Sequence, residues 1–274
     1  MASDAKSLLV LWHLASLDAP TVAALWTWFI ARGCHIQLSW VSIAAMAAAV
    51  WMLYAADRLL DAHTSDAGAL EERHYFHRRH RSRFLMGIAI ASVLLAVLLP
   101  RIPQEAIRLY LILGGMVFGY FVMIHATDNA HRLPKEIAVG ICFAAAVFIP
   151  TVSRNVSLRI VLLPPAILFA SLCSLNCLFI YAWEHPTATD GPEPHAITRF
   201  ALRHLASFGG LVCIASAVMS IASGRGTWMF YAATGLGAAA LLIINAVRAR
   251  SNRLALRALA DVALLTPALL IPFL

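Results

Sequence analysis

Charge is scarce in this chain: Asp, Glu, Lys and Arg together make 13% of 274 residues, against 61% apolar ones. A soluble domain carries about a quarter charged residues, so that class is excluded, and a mean hydropathy of +0.77 agrees. Cysteine is sparse as well. The five (Cys34, Cys142, Cys173, Cys177 and Cys213) mostly lie in or beside apolar runs and form neither a CxxC pair nor a disulfide framework. They read as small packing residues. The N-terminal stretch reads as a first span and not as a cleavable leader: residues 8–31 are too long for a signal-peptide core, are interrupted by His13, Ser16 and Asp18, and have no clear small-residue cleavage site. The basic residues form no contiguous surface of the kind that reads a phosphate backbone, which excludes a nucleic-acid partner.

What is present is length in apolar runs. A hydrocarbon layer of about 30 Å takes roughly 17–25 helical residues to cross. Nine runs approach that length, at about 7–31, 38–61, 84–100, 105–126, 135–152, 158–183, 203–223, 227–247 and 255–273. The expected fold is therefore all-α, a polytopic membrane bundle of about nine transmembrane helices forming a single domain over 1–274. Lys and Arg in short loops stay on the cytoplasmic side. With the N-terminus inside, fourteen of them fall on the inner side, from Lys6 through Arg248, Arg250, Arg253 and Arg257. Only six fall outside, with Arg58 left inside the second helix. The net charge of +7 thus belongs to topology and to contact with anionic lipid.

The chemistry starts at Asp57-Arg58-Leu59-Leu60-Asp61, which closes the second run ahead of a loop rich in His and Arg. On a helix Asp57 and Asp61 are one turn apart and share a face. Two carboxylates there call for a cation, a proton or a basic partner, and intramembrane acids are functional suspects; the competing reading pairs them with Arg58 and the loop arginines at the interface. A second polar cluster, on the same side by alternation, ends the sixth run: Asn176, then Tyr181-Ala182-Trp183-Glu184-His185.

These residues resemble the UbiA-type intramembrane prenyltransferases. The family's first motif, N-D-x-x-D-x-x-x-D, is matched over its last five positions by Asp57 to Asp61, with Leu53 and Tyr54 in place of its Asn and first Asp. In the second, Asn176 takes the Asn place and Glu184 the final acid, while Cys177 and Ile180 replace the inner acids. Leu133-Pro134-Lys135-Glu136, with Gly140 following, is similar to the lysine-bearing start of the family's fifth helix. The resemblance implies nine spans, cytoplasmic active-site loops and transfer of an isoprenyl group from a diphosphate donor to an aromatic or lipid acceptor. It implies Mg²⁺, one ion or the family's two, held by Asp57, Asp61 and Glu184. Arg73, Arg78, Arg79, Lys135 and Asn176 would contact the diphosphate, and Tyr54, three residues before Asp57, would orient a water or a phosphate oxygen. Fewer motif acids are in register than the family usually brings, with Asp66 and Asp190 nearby as substitutes. A non-catalytic isoprenoid- or lipid-binding relative is therefore the main alternative.

Two other classes remain in view. Glu71-x-x-His74-x-x-His77-x-x-His80 sets out a slowly rotating helical stripe, and His74, His77 and Glu71 together suit Zn²⁺ or iron. The H-x-x-H-H clusters of membrane di-iron hydroxylases are missing. Transport would use Asp18 and Asp261 as a buried relay, against which stands the absence of an inverted repeat or paired broken helices in the sequence.

Overall fold

The computed structural model describes residues 2–64, 72–126, 134–185, 195–224, 226–250 and 252–274. Among them there are helices and no strand. In chain order the helices are α1 (Ala2–Leu14), α2 (Asp18–Gly33), α3 (Trp40–Thr64), α4 (Glu72–Arg79), α5 (Arg81–Leu98), α6 (Gln104–Ala126) and α7 (Lys135–Val152). They continue with α8 (Leu158–Val161), α9 (Leu163–Glu184), α10 (Ala196–Arg203), α11 (Leu205–Ala222), α12 (Trp228–Val247), α13 (Arg253–Ala263) and α14 (Pro267–Leu270). Seven stretches of the described chain are long and apolar enough to cross a membrane, eight if a bent pair in α1 and α2 is one span. Large apolar side chains also stand on the surface: Ile221 is 87% exposed, Leu111 71% and Phe118 70%. Water tolerates only small apolar patches, so this covering marks a multi-pass membrane protein.

The chain divides into two compact units, Met1–Ala24 with Leu38–Ile102, and Leu25–Gln37 with Pro103–Leu274. In the first unit α3 packs along α5 with α4 against α3. Gly87 on α5 makes this possible, because a Cβ there would stand 2.6 Å from Trp51 on α3. Phe84 stacks on the same indole at 6.3 Å, while Val41, Ala45 and Leu98 form a small core of their own.

The first apolar run, read as one span, is broken. Its two halves meet at 90°. Ser16 sits at φ 56°, in the left-handed region. Its N–H reaches His13 O at 3.0 Å, and the next N–H, of Leu17, reaches Trp12 O at 3.1 Å. That pair of bonds is the Schellman closure of a helix end. His35, also at φ 56°, closes α2 in the same way through Arg32 O and Ala31 O.

In the second unit α7 lies along α9, and α11 along α12. Trp26, fully buried, packs on Phe169 at 4.1 Å and on Phe29 at 5.9 Å. The last apolar run is interrupted between α13 and α14 ahead of Pro267. One carbonyl at the interruption is served by a side chain, Trp26 Nε1 donating to Leu264 O at 2.7 Å, while Thr266 Oγ1 ties the interruption to α12 by donating to Ala233 O at 2.7 Å.

Pro150 lies inside α7. It has no N–H, so the carbonyl four residues back, Ala146 O, loses its helical donor; Tyr110 Oη donates to that carbonyl at 3.2 Å. Tyr110→Phe is expected to lower stability by about 1–2 kcal/mol, measured by thermal unfolding in detergent. In a Pro150→Ala background, where the backbone donor is restored, the same change should cost close to nothing. Equal losses in both backgrounds would refute this pairing.

Candidate functional site

Within the second unit, polar side chains gather where α7, α9 and α13 converge. Asn176 on α9 is 6% exposed. Its Nδ2 donates to Asp261 Oδ1 on α13 at 3.1 Å. Since a carboxylate only accepts, the amide nitrogen must face it, and Asn176 Oδ1 is left without a hydrogen-bond partner among the described residues. Two turns on, Glu184 forms an ion pair with Arg257 of α13, with side chains 14% and 5% exposed. The links pair 176 with 261 and 184 with 257, so α9 and α13 run antiparallel. Eight residues on one helix span about 12 Å and four on the other about 6 Å; the long arginine side chain covers the difference.

Glu136 enters the same region from the first turn of α7, where the helix dipole favours an anion. It is 7% exposed, and its Oε2 accepts a bond from Thr198 Oγ1 of α10 at 3.2 Å. Cys177 is near enough to both Asp261 and Glu136 to feel their charges. Gly140, one turn past Glu136, brings α7 onto α9: a Cβ there would stand 2.5 Å from the Ser174 backbone nitrogen. At the far end of α9, Asn245 Oδ1 accepts from Trp183 Nε1 at 3.0 Å and from Arg248 Nη1 at 2.6 Å.

In the first unit α3 continues as helix past Asp61, so Asp57 and Asp61 do share a face. Asp57 is exposed, Tyr54 and Arg58 are half-buried, and the side chain of Asp61 lies outside the described residues. So does that of Arg73, and Asp66 and Asp190 lie outside them altogether. Arg78 and Arg79 are exposed on α4, and Lys135 is exposed at the start of α7.

The histidine stripe diverges. His77 is 2% exposed, lies 3.4 Å from Ser16 Oγ through Nε2 and rests on the Phe84 ring at 4.6 Å. His80, at the start of α5, places Nδ1 2.9 Å from Phe76 O. The side chain of His74, like all of Glu71, lies outside the described residues.

All five cysteines are free. Residues that sequence reading assigned elsewhere now take part: Arg257, counted among the inner-side topological charges, is buried on Glu184, and Thr198 carried no signal at all. The readable clue for Arg257 was its spacing of four from Asp261, which puts both on one face of α13. The oxygen donors Asn176 Oδ1, Asp261 and Glu136 suit a hard cation in chemistry, whereas the Glu184 carboxylate already has Arg257 as its counter-charge. No protein-family model matches the chain, and no curated protein or solved structure matches it either.

Proposed function

We propose that the protein is an intramembrane prenyltransferase of the UbiA type, moving an isoprenyl group from a diphosphate donor to a hydrophobic acceptor. The observation that carries this reading is the buried acid and amide cluster on α7, α9 and α13, built around Asn176, where the resemblance puts the second motif. Ionisable groups inside a membrane bundle are expensive and tend to be kept for function. A buried amide oxygen without a partner among the described residues, on a side chain bonded to a carboxylate, is suited to a ligand rather than to packing.

In this reading Asp57 and Asp61 hold Mg²⁺, with the N-terminus and the loops that follow α3 and α9 cytoplasmic. Mg²⁺, when bound, supplies charge neutralisation on the leaving diphosphate. Arg73, Arg78, Arg79 and Lys135 add positive charge toward the same anion, and Tyr54 orients a water or a phosphate oxygen. The apolar walls keep water from an allylic cation. A second reading, a lipid-binding relative without turnover, is favoured by one contact: Glu184, the acid in the family's final motif position, is held by Arg257.

Thermal unfolding of the detergent-purified protein with geranyl-, farnesyl- and geranylgeranyl-diphosphate analogues tests both. A ligand present at a hundredfold its Kd stabilises the folded state by about 2.7 kcal/mol. A rise in Tm that needs both diphosphate and Mg²⁺, and that Asp57→Asn abolishes, is the expected result. A rise independent of Mg²⁺ points to the binding-only relative. No rise with any analogue refutes both.

A further inference from the structure

We propose that the break between α1 and α2 is a proton-binding site, in which His13 and Asp18 hold one exchangeable proton. The inference stands apart from prenyl transfer and adds a function to the first unit. His13 Nδ1 lies 2.6 Å from Asp18 Oδ2, and each side chain is 2% exposed. The closure of α1 does not need them. Ser16 closes α1 by its own backbone bonds, and Trp51 Nε1 donates to Ala15 O at 3.1 Å. The end of α1 is therefore satisfied without either ionisable group, and Asp18 serves the backbone only through one oxygen at the start of α2; burying two such groups costs several kcal/mol before they are paired.

The break suits an imidazole that gains and loses charge. His13 stands in the last turn of α1 and Asp18 in the first turn of α2. The partial negative charge of a helix C-terminus favours an imidazolium, and the partial positive charge of an N-terminus favours a carboxylate. The Ala19 N–H donates to Asp18 Oδ1 at 2.9 Å, and Arg58 on α3 is close enough for its charge to act on Asp18. A guanidinium stays charged at any working pH, so Asp18 is balanced whether or not His13 is an imidazolium. The Nδ1–H bonded to Asp18 stays in place while a proton joins or leaves the lone pair at Nε2. His77 on α4 also faces the break, reached through Ser16 Oγ. A proton held at a discontinuous membrane helix is the arrangement used to couple proton uptake to a membrane event.

The test is solid-state NMR of the full chain, ¹⁵N-labelled at histidine and reconstituted in lipid vesicles, titrated between about pH 4 and pH 9. Sequential correlations in uniformly labelled wild-type protein assign His13, so the reading needs no variant. The expected result is that Nε2 of His13 moves from the shift of a bare ring nitrogen to that of an N–H within this range while Nδ1 stays protonated. Asp18→Asn should lower the midpoint by at least about one pH unit, a tenfold change in proton affinity, because the counter-charge is gone. Ring shifts of His13 that stay fixed across the range, with the protein folded throughout, would overturn the proposal and leave the pair as a static cross-link.

Discussion

Arg257→Met is expected to destabilise the protein by about 3–5 kcal/mol, the cost of leaving a buried carboxylate without its counter-charge. Glu184 has its side chain 14% exposed and faces that arginine alone among the described ion pairs. Glu184→Gln should lower stability too, but by less, because Arg257 has further contacts. The double variant Glu184→Leu with Arg257→Met removes both charges and should recover to within about 1 kcal/mol of wild type, since a buried ion pair is often no better than an apolar pair of similar volume. Unfolding in detergent, run as a double-mutant cycle, reads the coupling. Additive losses would show that the pair is not an energetic unit. The same cycle bears on function: a Glu184→Gln protein that loses stability but keeps Mg²⁺-dependent diphosphate binding assigns Glu184 to the α9 and α13 contact and leaves the metal to Asp57 and Asp61.

Gly140→Leu should produce no folded protein. The glycine places α7 against α9 so closely that a Cβ would overlap the Ser174 side chain and stand 2.5 Å from its backbone nitrogen and 2.8 Å from its Cα. Those last two atoms belong to a helix backbone and cannot rotate away. Even Gly140→Ala should cost about 1–3 kcal/mol, the usual range for overpacking. Gly114 and Gly115 on α6 supply the control, because nothing stands within 4 Å of a Cβ at either; alanine there should be neutral or slightly stabilising through its helix propensity. A Gly140→Ala protein as stable as wild type in a thermal melt would refute the close approach. Small residues at helix crossings are the main means by which membrane helices pack, so the loss should appear as failure to fold rather than as a shifted ligand affinity.

Apolar runs were legible because a hydrocarbon layer asks for length and hydropathy, and both can be read residue by residue. Breaks were not. Run 7–31 passes every test of a single span, and the turn at Ser16 depends on a left-handed backbone that serine adopts only when its surroundings hold it there. His13, Ser16 and Asp18 did stand out as interruptions, but spacing alone could not show that the first and last of them meet across a bend. The same limit applies to the acids. Asp57 and Asp61 were placed on one face by helical periodicity, and α3 keeps that register. Glu136, Arg257 and Thr198 owe their environment to contacts between helices 60 or more residues apart in sequence; one sequence holds no signal for Glu136 with Thr198, and for Arg257 only its spacing of four from Asp261. Positive-inside counting even misled for Arg257, since it treats every cation near a helix end as solvated.

The bond from Trp26 to Leu264 joins two residues separated by 238 positions. Ribosomes deliver these segments in order, so α2 enters the membrane long before α13 is made. Until the last helices arrive, the Trp26 indole N–H has no backbone carbonyl from that end of the chain, and the fully buried face formed by Trp26, Phe29 and Ile30 has only part of its neighbours. The second unit therefore cannot finish assembling before α13 is inserted. Its early segment must wait in a partly packed state, which makes α13 decisive for the maturation of α2.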